Sequence, residues 1–335
     1  MSKEKKIKVK SNISFRERNS QTHGYLLQKK IGDIGYRVIR AVLLFGLCFL
    51  ILQPLINKLS VSLMAEENLY DATVINIPRD WTLVNFKMVD ELIDYWKCLF
   101  NSAWVSLVVA VLQVAAATLV GYGFARFNFP FKKFWFGCVI LVIIVPPQTI
   151  MSPLYLNFRY FDIFGIFQAT LKHSLNLQKT IVPYLMMCAT CMGLKSGLYI
   201  FMLRQYFRGV PKELEEAAYV DGCGNLQTFI RIMLPDAKSM IVSCFLFAYV
   251  WQWTDSLYSK MFLGDMDMLP KGLNSISGSI DAFVRSTGYG TKASAGLLNQ
   301  MISTGTLMAI FPLLILYLFA QKGFVESLSQ TGIKM

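Results

Sequence analysis

The chain has 335 residues, 54% of them hydrophobic and 16% charged, with a net charge of +12 and a mean hydropathy of +0.44. A soluble domain carries about a quarter charged residues, so this composition argues against one, and the long apolar runs predict a polytopic membrane protein. The positive charge argues against nucleic-acid binding by its placement: residues 1–40 hold eleven Lys/Arg against three acids, just before the first apolar run, as in a cytoplasmic segment that orients a membrane chain.

In chain order, a basic tail covers residues 1–37, where it can touch anionic lipid headgroups. The run Val38–Ile56 follows. It is long enough to span a membrane, and a polar lead of over thirty residues precedes it, so a retained helix is expected rather than a cleaved signal peptide. Residues 57–99 carry seven acids against four Lys/Arg and read as an outer loop, either a small cap or docking surface or an ordered connector. Five more apolar stretches lie at Phe100–Phe124, Phe134–Leu154, Ile181–Leu203, Met240–Phe262 and Met301–Phe319, a core over residues 100–320 followed by a tail at 321–335. Each is expected to be helical, because backbone groups in lipid must be satisfied within their own segment. Six spans return the C-terminus to the side of the N-terminus. Pro146, Pro147, Pro183 and Pro312 fall inside these stretches and can kink them.

Cys188 and Cys191 are spaced as C-x-x-C, a redox or metal pattern in a soluble chain. Inside an apolar stretch, with only His23 and His173 as imidazole ligands, they read as small packing residues. No metal site is expected.

Residues 204–238 form a charged loop with the pattern of two short helices around a glycine turn. Pro211 suits a first helical turn, and Glu213, Glu215 and Glu216 place negative charge at the positive end of the helix dipole. Asp221-Gly222 reads as a stop, Asn225 as the cap of a second helix, and Pro235 as its end. Leu226, Phe229, Ile230, Met233 and Leu234 fall on one face of that helix. Such a loop is either an amphipathic connector or a rigid docking element at the ends of two spans.

Two anomalies remain at membrane depth. Trp251, Gln252, Trp253 and Asp255 cluster in the fifth stretch, where indoles can stack on sugar rings and polar groups can bind hydroxyls. The alternative is an interfacial aromatic pair. Lys195 sits nine residues before Arg204 and either faces the bundle interior or snorkels.

The loop is similar to the signature of the ABC importer permeases: Glu216-Ala217-Ala218, Gly222, Ile232 and Leu234-Pro235 stand at that family's spacing. The resemblance runs from the second apolar stretch to the C-terminus. The run from Arg204 to Ala218, Asn101-Ser102, and Gln321 to Val325 resemble the carbohydrate-uptake branch of maltose-permease type. It implies an all-α type I permease fold with six transmembrane helices in the cell membrane and both termini cytoplasmic. It further implies that Glu216, Ala217, Ala218, Asp221 and Gly222 contact a separate ATPase. Partners would be a second homologous permease, two ATPase subunits and an extracellular solute-binding protein. Related permeases often have Trp-Asn-Asp or Trp-Asn-Glu where this chain has Thr254 before Asp255, which puts a carry-over of substrate contacts in doubt. No G-x-x-x-x-G-K-[ST] occurs, and Gly290-Thr-Lys-Ala-Ser lacks its spacing, so ATP and Mg are expected on the ATPase and none on this chain. The expected function is permeation of a sugar or oligosaccharide. Alternatives are the same machine with a polyamine or phosphate cargo, a stand-alone secondary transporter, or a membrane-bound enzyme.

Overall fold

A computed structural model describes residues 25–71, 77–162, 165–166, 173–288 and 290–332. The first 24 residues of the predicted basic tail and the last three of the C-terminal tail lie outside these. Among the described residues there is no strand, only isolated bridges between Met64 and Trp81 and between Phe161 and Leu175. The chain divides into two units, Met1–Lys58 and Leu59–Met335.

Helix α1, Tyr25–Leu63, contains the first predicted span and extends it at both ends, so residues 25–37 are helical. It has the length and composition of a membrane span.

The predicted outer loop is largely ordered. A 3₁₀ turn at Glu66–Tyr70 leads to α2, Val84–Ile93. Asn85, Val89 and Ile93 are one helical face apart and buried. Asn85 Nδ2 donates to Ser62 O and Met64 O at 2.8 and 2.9 Å, and Gln300 Nε2 reaches the same Met64 carbonyl at 2.6 Å. These bonds tie the ordered segment to Gln300.

Helix α3, Tyr95–Arg126, is the continuous axis of the second unit. Its buried face is rich in small residues, including Ser102, Ser106, Ala110, Ala117 and Gly121. Small residues let helices approach where lipid gives no hydrophobic drive for association. A Cβ on Gly121 would stand 3.0 Å from Leu203 Cβ.

All six apolar stretches lie on helices, but three are not continuous spans. Among the described residues, three helices are long and apolar enough to cross a membrane, Gln28–Leu63, Tyr95–Arg126 and Ala295–Gln321, with two further bent pairs. The third stretch is split into α4, Lys132–Ile144, and α5, Pro147–Arg159, bent by 103°. Pro146 forces Val145 into the extended region (ψ 122°), and Pro147 starts the next helix.

The fourth stretch is α6, Val182–Ala189, and α7, Ser196–Gly209, separated by an irregular segment at 190–195. Cys191 and Lys195 take left-handed φ of 59° and 63° there. The freed backbone is met from α3, where Gln113 Nε2 donates to Leu194 O and to Ser196 Oγ. A neighbouring polar side chain of this kind is what lets irregular backbone persist at depth.

After α7 come α8, Glu213–Val220, and the helical run α9, Asn225–Asp236, which contains a π turn at Phe229–Met233. Then α10, Lys238–Trp253, crosses at 74° to α9 and ends before α11, Leu257–Phe262, so the fifth stretch is also interrupted. Helix α12, Leu269–Ser286, escaped the sequence reading. Its buried Leu269, Gly272, Ile276 and Ile280 recur at helical spacing outside any long apolar run. Helix α13, Ala295–Gly332, carries the last span and continues through most of the predicted C-terminal tail.

Candidate functional site

The loop at 204–238 is built as two helices on a fastened base. Helix α8 begins at Glu213, two residues after Pro211, so the proline stands just ahead of the first turn. It ends where Gly222, at φ +82°, lets the Cys223 N–H reach Ala218 O at 2.9 Å. The second helix is capped otherwise than expected. Gly224 precedes it, with its N–H 3.4 Å from Gln227 Oε1, and Asn225 is already helical. Nor does Pro235 end it. The π turn before Pro235 absorbs the missing donor and the run continues to Asp236.

Glu215 is the hidden member of this loop. Its carboxylate lies 3.2 Å from Arg126 Nε, with both side chains under 10% exposed, and accepts from Tyr122 Oη at 3.0 Å. Arg126 also donates to Val210 O at 2.8 Å. The Tyr122 ring packs on Phe207 and Phe229, with centroids 5.4 and 4.7 Å away. Tyr206 Oη donates to Asp236 O at 2.7 Å, fastening α7 to the end of α9. The base of α8 is thereby tied to the end of α3. Nothing in the chain's order pairs Arg126 with a carboxylate 89 positions away.

The motif residues divide by direction. Glu216, Ala217, Asp221 and Gly222 are exposed, as is Pro235, while Ile232 and Leu234 are half-buried. Ala218, for which the resemblance implies a partner contact, is 3% exposed and packs inward. Its one-turn neighbour Leu214 is exposed, which shows how narrow the inward face is. In α9, Phe229 and Met233 are buried whereas Leu226 and Ile230 are exposed, so the expected single apolar face is divided between two sides. The outward surface therefore includes Val220, 87% exposed, beside the acidic Glu216 and Asp221.

The second candidate cluster lies at the α10–α11 corner. Asp255 is buried, and its carboxylate accepts from the backbone N–H groups of Leu257, Tyr258 and Ser259 at 3.1, 3.3 and 2.9 Å. Tyr184 Oη and Ser259 Oγ donate to the same group. Those donors saturate it as the cap of α11, leaving nothing for a sugar hydroxyl. Trp253 is also buried, its Nε1 donating to Ala309 O at 3.1 Å, and Gln252 is buried beside it. Trp251 alone of the four stays open, at 45% exposure. Its ring lies 5.0 Å from Lys195 Nζ. So the structure pairs Lys195 with Trp251 and separates both in role from Asp255 and Trp253. A cavity of about 370 Å³ opens between α10, α12 and α13, lined by Trp253, Thr254, Ser256, Asn274 and Thr306 among others.

Cys188 is buried and Cys191 half-buried, and all seven cysteines are free. No group of three metal-ligating side chains occurs among the described residues.

Comparison with known proteins accounts for this arrangement. The arabinooligosaccharides transport system permease protein AraQ of Halalkalibacterium halodurans is 29% identical over 293 residues, 86% of this chain and 93% of that protein. The maltodextrin transport system permease protein MdxG of Bacillus subtilis is 27% identical over 254 residues, 76% and 81% of the two chains. The fold is that of a chain in the crystal structure of a bacterial ABC transporter involved in the import of the acidic polysaccharide alginate: the TM-score is 0.67 at 19% identity, over 87% of this chain and 97% of that one. Residues 114–322, which include the whole α8–α9 loop and both candidate clusters, match the model of one family, and the chain belongs to it: the inner membrane components of binding-protein-dependent transport systems.

Proposed function

We propose that the chain is the membrane-spanning subunit of an ATP-driven importer for a sugar or oligosaccharide, with ATP and Mg²⁺ held by a separate ATPase. The observation that carries this reading is the α8–α9 loop, which turns Glu216, Ala217, Val220, Asp221 and Gly222 outward on a base locked to α3 by Glu215 and Arg126. The saccharide cargo is supported by relatives that are permeases for arabinooligosaccharides and maltodextrin.

In this reading both termini and the loop face the cytoplasm, following the basic N-terminal segment. A second permease completes the pathway, two ATPase subunits dock beneath, and an extracellular binding protein delivers the ligand. ATP binding draws the ATPases together and moves α8 as a rigid body. The Glu215–Arg126 pair and the Tyr122, Phe207 and Phe229 rings pass that displacement to α3, α7 and α9. Packed interfaces of this kind are bistable rather than continuously deformable, so the displacement switches the side on which the cavity opens.

The test is mild-detergent purification from native membranes, followed by reconstitution of what is recovered. Co-recovery of an ATPase and a second permease, with saccharide uptake that stops without ATP, is the expected result. Recovery of this chain alone, with uptake indifferent to ATP, would overturn the reading.

A further inference from the structure

The break between α6 and α7 carries an ionisable group, Lys195, that forms no ion pair among the described residues. Its depth follows from α3. Gln113, which donates to Leu194 O, lies about 27 Å from Tyr95 and about 20 Å from Arg126 along that helix, at 1.5 Å per residue. The residue after Leu194 is thus near the middle of α3's length. Its ammonium engages the Trp251 ring. The ion pairs among the described residues are Arg79–Asp71, Lys97–Asp267, Arg126–Glu215, Lys179–Asp265 and Lys271–Asp267, and none includes Lys195. The carboxylate on the neighbouring corner, Asp255, is committed to α11 and Tyr184.

A cation at this depth without a counter-charge is costly facing lipid, so it belongs on a polar pathway. The contact with Trp251 holds the ammonium in place through the ring quadrupole and leaves N–H donors directed away from the ring for a ligand. The exposed part of the indole supplies an apolar surface beside that charge.

We propose that Lys195 and Trp251 form a subsite for the acidic ring of a carboxylate-bearing saccharide. This rests on the saccharide reading above and narrows it. A uronate ring lays its C–H face on the indole while its carboxylate takes charge-assisted hydrogen bonds from the ammonium. A neutral ring of the same shape stacks equally well but leaves the ammonium without a counter-charge in a medium of low dielectric. Lys195 therefore sets selectivity by charge, and Trp251 accepts either ring.

The experiment uses the purified complex of this chain with its co-recovered subunits in nanodiscs, and equilibrium dialysis of labelled trigalacturonate against its trimethyl ester, which has the same rings without the charge. Wild type should bind the acid at least about tenfold more tightly than the ester, as one charge-assisted contact provides. Lys195→Gln should abolish the difference by weakening the acid alone, and Lys195→Arg should retain it. Equal binding of the two ligands by wild type, binding of neither, or a preference that survives in Lys195→Gln would overturn the proposal. A Lys195→Gln complex that loses both ligands alike, or no longer assembles, would assign the residue to packing against a partner and overturn it too. Uptake of a neutral saccharide by the same complex separates the two readings: with it, failure here leaves the importer assignment standing, and without any saccharide uptake both fall.

Discussion

The α8–α9 loop and the α10–α11 corner each place a carboxylate at the start of a short helix, and they use it in different ways. In the loop one acid, Glu215, is turned inward to Arg126 while its neighbour Glu216 remains exposed. At the corner the only acid, Asp255, is consumed by three backbone N–H groups and Tyr184, and no polar side chain of comparable kind is left facing out. The difference teaches that a polar residue beside a helix start is first a candidate for satisfying the chain itself. It becomes available to a partner only where a neighbour has taken over that task.

The largest effect should come from breaking the loop's inward contact. Glu215→Ala leaves Arg126 charged and buried, which costs about 3–5 kcal/mol when one partner of a buried pair is removed. Thermal unfolding of the detergent-purified chain reads this. Pairing the change with Arg126→Met should recover much of the loss, and a double variant no more stable than the single one would refute a specific coupling. Next is the corner. Asp255→Ala strands several N–H groups at the start of α11, at a cost of about 1–3 kcal/mol for an unsatisfied buried group. It should lower the unfolding temperature and leave the relative affinities for saccharides unchanged. A change of ligand preference at constant stability would restore Asp255 to the pathway.

A smaller effect sharpens the outward half of the comparison. Gly222 has open space around its Cα, so its demand is conformational rather than steric. Gly222→Val should cost about 1–2 kcal/mol from the left-handed backbone, and should uncouple ATP hydrolysis from uptake while the chain still inserts. Gly222→Asn, which tolerates that conformation, should retain coupling. Uptake at wild-type rate in the valine variant would detach the turn from function. The smallest effect lies at the half-buried Asp267, held below the ordinary carboxylate value by hydrogen bonds from Lys97 and Lys271. A depressed folded-state value means that this stabilisation is present above the unfolded-state pKa, about 3.9 for Asp, and is lost as pH falls through the folded value. Asp267→Asn should flatten the acid limb of the unfolding profile slightly, since exposed pairs contribute little. An unchanged limb would show that the pair contributes nothing.

Much of the loop was legible in order along the chain. The glycine stop and the acidic first turn follow from helix-terminus chemistry, which is local. What the sequence did not show there was also informative. Asn225 was passed over as a cap because Gln227 reaches back to Gly224, and Ala218 was turned inward by the same helical phase that buries Glu215. At the corner the pairing that occupies Asp255 was not legible in the sequence. Tyr184 precedes Asp255 by 71 positions, in a stretch that reads as a separate span.

By itself the sequence determined that the chain is helical and membrane-spanning, where its apolar stretches lie, and that a charged loop interrupts them at a family-specific spacing. Those properties depend on hydropathy, on helix termini and on residue order, all of which act over a few turns. Only the tertiary structure decided that three of the stretches are bent or broken, that α2 and α12 are ordered outside them, and that Arg126 meets Glu215 while Lys195 meets Trp251. Which polar groups are spent and which are left open depends on which helices touch, and side chains separated by tens of residues come within 5 Å only when the bundle has packed.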